Sequence, residues 1–168
     1  MPISQHPVDT RPVVAHELPQ LISLFVRYYA EECAIELSPP EVAFVNSEIE
    51  RGLEEGYLHL LLAAAVDSTI RGFIIFQVDT PASDWCLRPG SGFIRELYVL
   101  PEERGCGLGG RLVAAAEQEF DRLQVPSIYL TTDDAASFWA AQGYRDSGLT
   151  CRRNGGRIFE KDLAGVSG

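Results

Sequence analysis

Hydrophobic positions recur at helical spacing in three stretches of this chain and run together in four others. Leu18, Leu21, Ile22, Phe25 and Tyr29 share one face of a helix expected over 18–32. Val42, Val45, Ile49 and Leu53 form a second stripe. Ser38-Pro-Pro-Glu41 opens that helix: serine caps, proline suits the first turn, Glu41 completes a capping box, and Gly56 can end it. Leu108, Leu112, Ala116, Phe120 and Leu123 make the third stripe. The apolar runs 57–66 and 70–78, joined by Asp67-Ser-Thr69, read as a hairpin in mid-sheet. A loop over 80–91, with Pro81, Pro89 and Gly90, leads into a strand over 93–100. Residues 11–15 read as a first strand and 1–9 as a tail. Pro126 precedes a strand over 127–131. Asp133 stands where it can cap a short helix through Gln142, with Gly143 to stop it. Asn154-Gly155 between extended stretches signals a closing hairpin. The order β-α-α-β-β-β-α-β-α-β-β describes one α/β (α+β) domain over 10–164, a mixed, mainly antiparallel sheet with helices on its faces.

Composition narrows the function. With 168 residues, 46% of them hydrophobic, the chain can bury a core of its own. No apolar run reaches the ~20 residues of a membrane helix, and no signal peptide is visible, so a cytoplasmic protein without a membrane partner is expected. A net charge of −10 argues against nucleic acid, whose phosphates need clustered Lys and Arg. Residues 31–55 hold eight Glu against one Arg, which reads either as a funnel for a cationic substrate or as the wet face of two helices. Cys33, Cys86, Cys106 and Cys151 lie far apart with no C-x-x-C pair; free thiols and no metal are expected.

The chemistry concentrates in Leu97-Tyr-Val-Leu-Pro-Glu-Glu-Arg-Gly-Cys-Gly-Leu-Gly-Gly-Arg-Leu112: a strand, a polar bend, a glycine loop and a helix. Such a loop points backbone N–H groups at one spot at a helix N-terminus, where phosphate binds. Walker A fails, because no Lys-Ser or Lys-Thr follows the glycines. Gly105-x-Gly107-x-x-Gly110 matches the dinucleotide fingerprint, and Asp133 follows at a suitable distance. However, five residues separate Val99 from Gly105, and the preceding context is a hairpin rather than repeated βαβ units.

Arg104-x-x-Gly107-x-Gly109 after the strand ending in Val99 resembles the pyrophosphate loop of the GNAT superfamily of acyl-CoA-dependent N-acyltransferases. Ala135-x-x-Phe-Trp-x-x-x-Gly-Tyr144 is similar to that family's second motif, and 154–161 to its closing hairpin. The resemblance implies about six or seven strands and four helices, splayed between strands 4 and 5. It implies acetyl-CoA as cofactor, its pyrophosphate on Arg104, Gly105, Cys106, Gly107, Leu108, Gly109 and Gly110. The pantetheine arm would lie on Leu97, Tyr98 and Val99, with the Val99 N–H stabilising an oxyanion. Thr132 stands where an asparagine often contacts the cofactor, beside Phe138 and Trp139.

An amine nucleophile needs a base. Glu96 is the candidate: strand alternation sets it with Tyr98 on one face and Leu97 with Val99 on the other. Its bland alternative is a salt-bridged carboxylate near Arg95 or Arg71. Trp139 replaces the family's usual general-acid tyrosine and has no titratable proton, so Tyr144, Tyr98 or water would substitute. Tyr28, Tyr29, His59 and Trp85 are candidates for the acceptor pocket. The implied activity is acetyl transfer to the primary amine of a small cationic molecule, or a peptide amine, by direct attack in a ternary complex. A non-catalytic acyl-CoA-binding module is the alternative, and the family often pairs as homodimers.

Overall fold

Along the chain run β1 (Val8–Pro12), α1 (Leu18–Glu32), α2 (Pro39–Glu55), β2 (Leu58–Ala65), β3 (Ile70–Val78) and β4 (Gly92–Val99). Then follow α3 (Leu108–Arg122), β5 (Ser127–Thr132), α4 (Ala136–Ala141), β6 (Arg145–Thr150) and β7 (Arg157–Asp162). The computed structural model describes residues 7–163; the expected domain end at 164 and most of the expected tail lie outside them. The strands form one sheet in the order β1-β2-β3-β4-β5-β7-β6. Every neighbouring pair is antiparallel except β4 and β5, which are parallel.

Alternation in the central strands sorts the core into two halves. Ile74, Phe76, Ile94 and Val99 pack under α3, against Leu112, Ala116 and Phe120. Phe73, Ile75 and Tyr98 face the other way, against Leu21, Ile22 and Phe25 of α1 and Ile49 of α2. The capping box at Ser38 forms as expected, with the Ser38 N–H donating to Glu41 at 2.7 Å, and Gly56 closes α2 with φ +80°.

Two boundaries differ from the sequence reading by more than one residue. The first strand is Val8–Pro12 rather than 11–15, paired with β2 from Val8↔Ala65 to Pro12↔Leu61. Glu17 explains the early end: it is buried, accepts from both terminal nitrogens of Arg11, and takes the Val14 N–H at 3.0 Å. That bends 15–17 into a 3-10 turn, and the Arg11 hydrogen bond holds the Glu17 carboxyl down at about 2. Asp133 does not cap the short helix. That helix starts at Ala136, and the Thr132 hydroxyl accepts the Ala135 N–H at 3.2 Å.

The parallel pair is brief. Only Gly92↔Ile128 and Phe93↔Tyr129 are in register before the strands part. Phe93 and Tyr129 stack there, ring centroids 4.7 Å apart. Gly92 gives the Phe120 ring its place, because a Cβ at 92 would stand 2.7 Å from that ring. Phe120 is fully buried and cannot swing away. Gly92→Ala should therefore destabilise the fold by about 1–3 kcal/mol, an overpacking cost readable by urea denaturation.

Candidate active site

Beyond Phe93 the parting of β4 and β5 opens a cleft of about 790 Å³. One wall is β4 from Ile94 to Val99; the other is Leu130, Thr131 and Thr132 of β5, then Ala135, Phe138 and Trp139. The Leu100 N–H donates to the Arg71 carbonyl at 2.9 Å, which fixes the phase of the β3–β4 ladder. Leu97 and Val99 fall in the alternate phase, so their backbone groups turn toward the cleft. The Val99 carbonyl accepts from Arg104 Nε at 2.9 Å.

The glycine loop forms one end of this cleft. Gly105 and Gly107 have φ of +82° and +84°, a region costly for any side chain with a Cβ. Gly107 is the N-cap of α3, and the Arg111 N–H makes that helix's first bond, to the Gly107 carbonyl at 3.1 Å. The backbone N–H groups of 105–110 have no backbone partner among the described residues. Six consecutive donors at the positive end of a fifteen-residue helix make a cradle for a phosphate group. Gly109 lets Phe138 lie close, since a Cβ there would meet its ring at 3.3 Å. Arg104 lines the cleft with its guanidinium over the Tyr98 ring and paired with Glu32 at 2.7 Å. Cys106 turns its thiol to the Glu103 carbonyl and is not in the lining.

Glu96 stands where the cleft meets a second pocket of about 150 Å³ under α1 and α2, and lines both. Its carboxylate accepts the Tyr28 hydroxyl at 2.5 Å. The expected salt bridges are made elsewhere: Arg71 pairs with Glu103 at 2.7 Å and Arg95 with Asp84 at 2.7 Å. Burial pushes the Glu96 carboxyl up to about 7, against the lowering effects of the Tyr28 bond and the Arg95 charge. Burial, then the Glu96 charge, raises the Tyr28 hydroxyl well above its ordinary range, so it stays a donor.

Arg95 is the residue strand alternation misses. The β3–β4 register slips between Ile75, opposite Glu96, and Phe76, opposite Ile94. Arg95 is the extra residue of this bulge, and it joins Glu96 in lining both cavities. Its guanidinium is held by Asp84 at 2.7 and 3.0 Å and by Gln77 at 2.9 Å.

The other sequence candidates divide. Tyr28, Leu97, Tyr98, Leu108, Gly110, Thr132, Phe138 and Trp139 all line the cleft, and Tyr29 lines the second pocket. His59, Trp85 and Tyr144 line neither. His59 stacks on Phe76 in the α3 half of the molecule, and burial lowers its pKa. Trp85 stacks on Phe93 and donates to the Tyr129 hydroxyl at 2.9 Å. Tyr144 is buried, and its hydroxyl donates to Glu117 at 3.0 Å. Burial raises its pKa first, then the Glu117 charge, so it is a structural donor turned away from the cleft. Several glutamates of 31–55 are used locally. Glu31 pairs with Arg27 at 2.6 Å, Glu32 with Arg104, Glu48 with Arg51 at 2.7 Å, and Glu41 caps α2. Among the described residues no helix is long and apolar enough to cross a membrane, and no group of three His, Cys, Asp or Glu could hold a metal.

The same fold occurs in solved acetyltransferases. The PaiA N-acetyltransferase of Thermoplasma acidophilum, in complex with coenzyme A, matches with a TM-score of 0.70 and 19% identity, over 94% of this chain and 99% of that one. A GNAT family acetyltransferase from Brucella melitensis, in complex with acetyl-CoA, matches with a TM-score of 0.66 and 14% identity, over 95% of this chain and 90% of that one. A ribosomal-protein-alanine N-acetyltransferase from Brucella melitensis matches with a TM-score of 0.71 and 19% identity, over 92% and 99%. No curated protein matches. The model of the acetyltransferase (GNAT) family matches residues 18–148, from the start of α1 through the cleft to β6, and the chain belongs to that family.

Proposed function

We propose that this chain transfers an acetyl group from acetyl-CoA to the primary amine of a small cationic molecule, by direct attack in a ternary complex. The observation that carries this reading is Glu96, a carboxyl with no cationic partner within salt-bridge distance among the described residues, at the junction of a phosphate-cradling cleft and an apolar pocket.

The cleft residues fit an acyl-CoA. The free N–H groups of 105–110 would hold the pyrophosphate, Leu97 and Val99 offer a strand edge to the pantetheine arm, and Thr132, Phe138 and Trp139 form the facing wall. Acetyl-CoA supplies an acyl group already activated as a thioester. The chain's own groups do the rest. A Glu96 oxygen takes one proton from the incoming ammonium, which frees the nitrogen lone pair. The Tyr28 hydroxyl holds that carboxylate in place. A backbone N–H of Leu97 or Val99 polarises the acyl oxygen.

With Trp139 in the wall and Tyr144 turned to Glu117, the departing sulfur takes its proton from water or from Tyr98, whose hydroxyl donates to Glu31 at 2.9 Å. The buried indole of Trp139 also favours the second reading, a module that binds acyl-CoA without turnover. Product formation separates the two.

Isothermal titration with acetyl-CoA, with NAD as control, tests the cleft. Gly107→Glu places a side chain at φ +84° and a negative charge inside the cradle, so acetyl-CoA affinity should fall at least ~100-fold. Wild-type affinity in that variant would remove the loop from the site.

Glu96→Gln should lower kcat ~100-fold or more and leave acetyl-CoA affinity within ~2-fold. Tyr28, Tyr29, Cys33 and Arg95 are the titratable groups facing Glu96. Tyr28 stays protonated and Arg95 stays charged, so Glu96 should set the profile: wild-type kcat/KM rises as pH passes about 7, and the variant loses that limb. The same group sets a stability slope. A folded pKa raised from 4.5 to about 7 gives stability that is complete below 4.5 and lost as pH rises through 7. Glu96→Gln should therefore be about 1–3 kcal/mol more stable than wild type at pH 8, a gain that vanishes by pH 4.5.

Trp139→Tyr should keep or raise kcat by restoring a titratable hydroxyl in the cleft wall. A loss of more than ~10-fold with unchanged folding would assign the indole a packing role of its own.

A further inference from the structure

Resting on the acetyl-transfer reading, we infer that the pocket under α1 and α2 selects a compact apolar monoamine: one ammonium on a short aromatic or aliphatic body, without a second cation or a carboxylate. The walls are Phe25, Tyr29, Phe44, Ile49, Leu58 and Ile75. Its volume of about 150 Å³ lies well below the ~300–1,000 Å³ of sites for drug-sized ligands, so the body next to the amine is small. Phe44 is 64% exposed at this pocket, an aromatic side chain that a bound apolar body would cover.

The charges in the wall decide what else the acceptor carries. Glu48, Asp84, Arg95 and Glu96 are the charged groups lining the pocket. Asp84 and Arg95 neutralise each other in a two-pronged pair, and Glu48 pairs with Arg51 from the next turn of α2. Arg95 is therefore committed, and a substrate carboxylate finds no available cation, which disfavours an amino acid. Two of the three carboxylates are already matched, so a polyamine or aminoglycoside gains little from its extra positive charges and must desolvate them against phenyl and alkyl walls. Glu96 alone remains, in the wall that the pocket shares with the cleft, and it would fix the position of one ammonium.

The reaction on such an acceptor balances without a further reagent. The ammonium gives one proton to Glu96. The nitrogen then forms the C–N bond as the C–S bond breaks. The nitrogen loses its second proton, the sulfur gains one, and a net single proton reaches water as Glu96 is restored.

The test is an acceptor panel with acetyl-CoA and the whole chain, read by coenzyme A release and by the mass of the N-acetyl product. Isoamylamine and phenethylamine represent the proposed class. Spermidine, kanamycin, L-phenylalanine and a peptide N-terminus represent the others. The expected result is a kcat/KM for the apolar monoamines at least tenfold above the rest. Phe44→Ser changes an exposed side chain, so it should fold; it should raise their KM at least threefold while acetyl-CoA affinity stays put. Faster acetylation of spermidine, kanamycin, phenylalanine or the peptide would overturn this inference and leave acetyl transfer standing. If no amine is acetylated although acetyl-CoA binds, acetyl transfer fails, and calorimetry of phenethylamine into the coenzyme A-loaded protein still decides the pocket. Saturable binding weakened by Phe44→Ser supports it, and no binding ends it.

Discussion

The site exists because β4 and β5 pair over two residues and then separate. A parallel pair normally continues until its hydrogen bonds run out, since buried backbone groups left without partners are costly. Here Gly92 and Phe93 hold the strands together at one end, with Phe120 seated against Gly92 and Tyr129 stacked on Phe93. Past that point the bulge at Arg95 diverts β4, and the edges from Leu97 to Val99 and along Leu130 to Thr132 face each other across open space. An extended ligand arm is the natural partner for such edges. The unpaired donors of 105–110 continue the same surface around the corner into α3. The cleft and the second pocket share β4, and the chain runs from the end of that strand into the loop of 105–110, so a shift of β4 would disturb all three.

The bulge has a second effect. In a regular strand Arg95 would point under α3, into the half of the core holding Ile94 and Leu97. The extra residue brings it to the side of Glu96, where Asp84 and Gln77 anchor it. A guanidinium beside Glu96 would ordinarily hold a carboxyl low. Because Arg95 is bound to Asp84, its charge only tempers the burial that raises Glu96 to about 7. The partial burial of this carboxyl is a stability cost held at the site, a pattern that clusters at functional sites.

The fold was largely legible because its signals are local. The capping box at Ser38, the glycines at 105 and 107, the stripe of α3 from Leu108 to Phe120 and the apolar run of β3 are each written within a few residues, and each reappears in the structure; Leu123, expected in that stripe, falls just past α3 and is exposed. What escaped depends on partners distant in sequence. The bulge is a property of the β3–β4 register, and Arg95 carries no glycine or proline to announce it. Asp133 had the composition of a cap, yet the chain reaches α4 by way of Thr132, one residue earlier, because β5 runs on to that position. His59 and Trp85 were aromatic or titratable residues on strands and loops near the expected site. Which side of the sheet they face is decided by packing against Phe76 and Phe93. Tyr144 sits five residues after Trp139 in the motif, but a half-buried Glu117–Lys161 pair claims its hydroxyl.

The overall charge of −10 looks at odds with a cleft built for a phosphate-bearing ligand. The conflict disappears once the acids near the cleft are followed to their partners. Glu103 is held by Arg71 and Glu32 by Arg104, so the two carboxylates lining the cleft beside the cradle are each neutralised. Glu31 is spent on Arg27 and on the Tyr98 hydroxyl. The attraction left for an anion comes from neutral backbone donors and the end of the α3 dipole, whose field acts over the first turn and is little affected by distant surface charge. A loop of glycines achieves this where a lysine cluster would not, because close approach of the backbone needs space that only a missing side chain leaves. The acids nearest the cradle therefore do not oppose an anionic ligand. Glu31 and Glu32 secure the wall beside the cradle, and Glu96 has no salt-bridge partner among the described residues, its carboxylate being held by the Tyr28 hydroxyl.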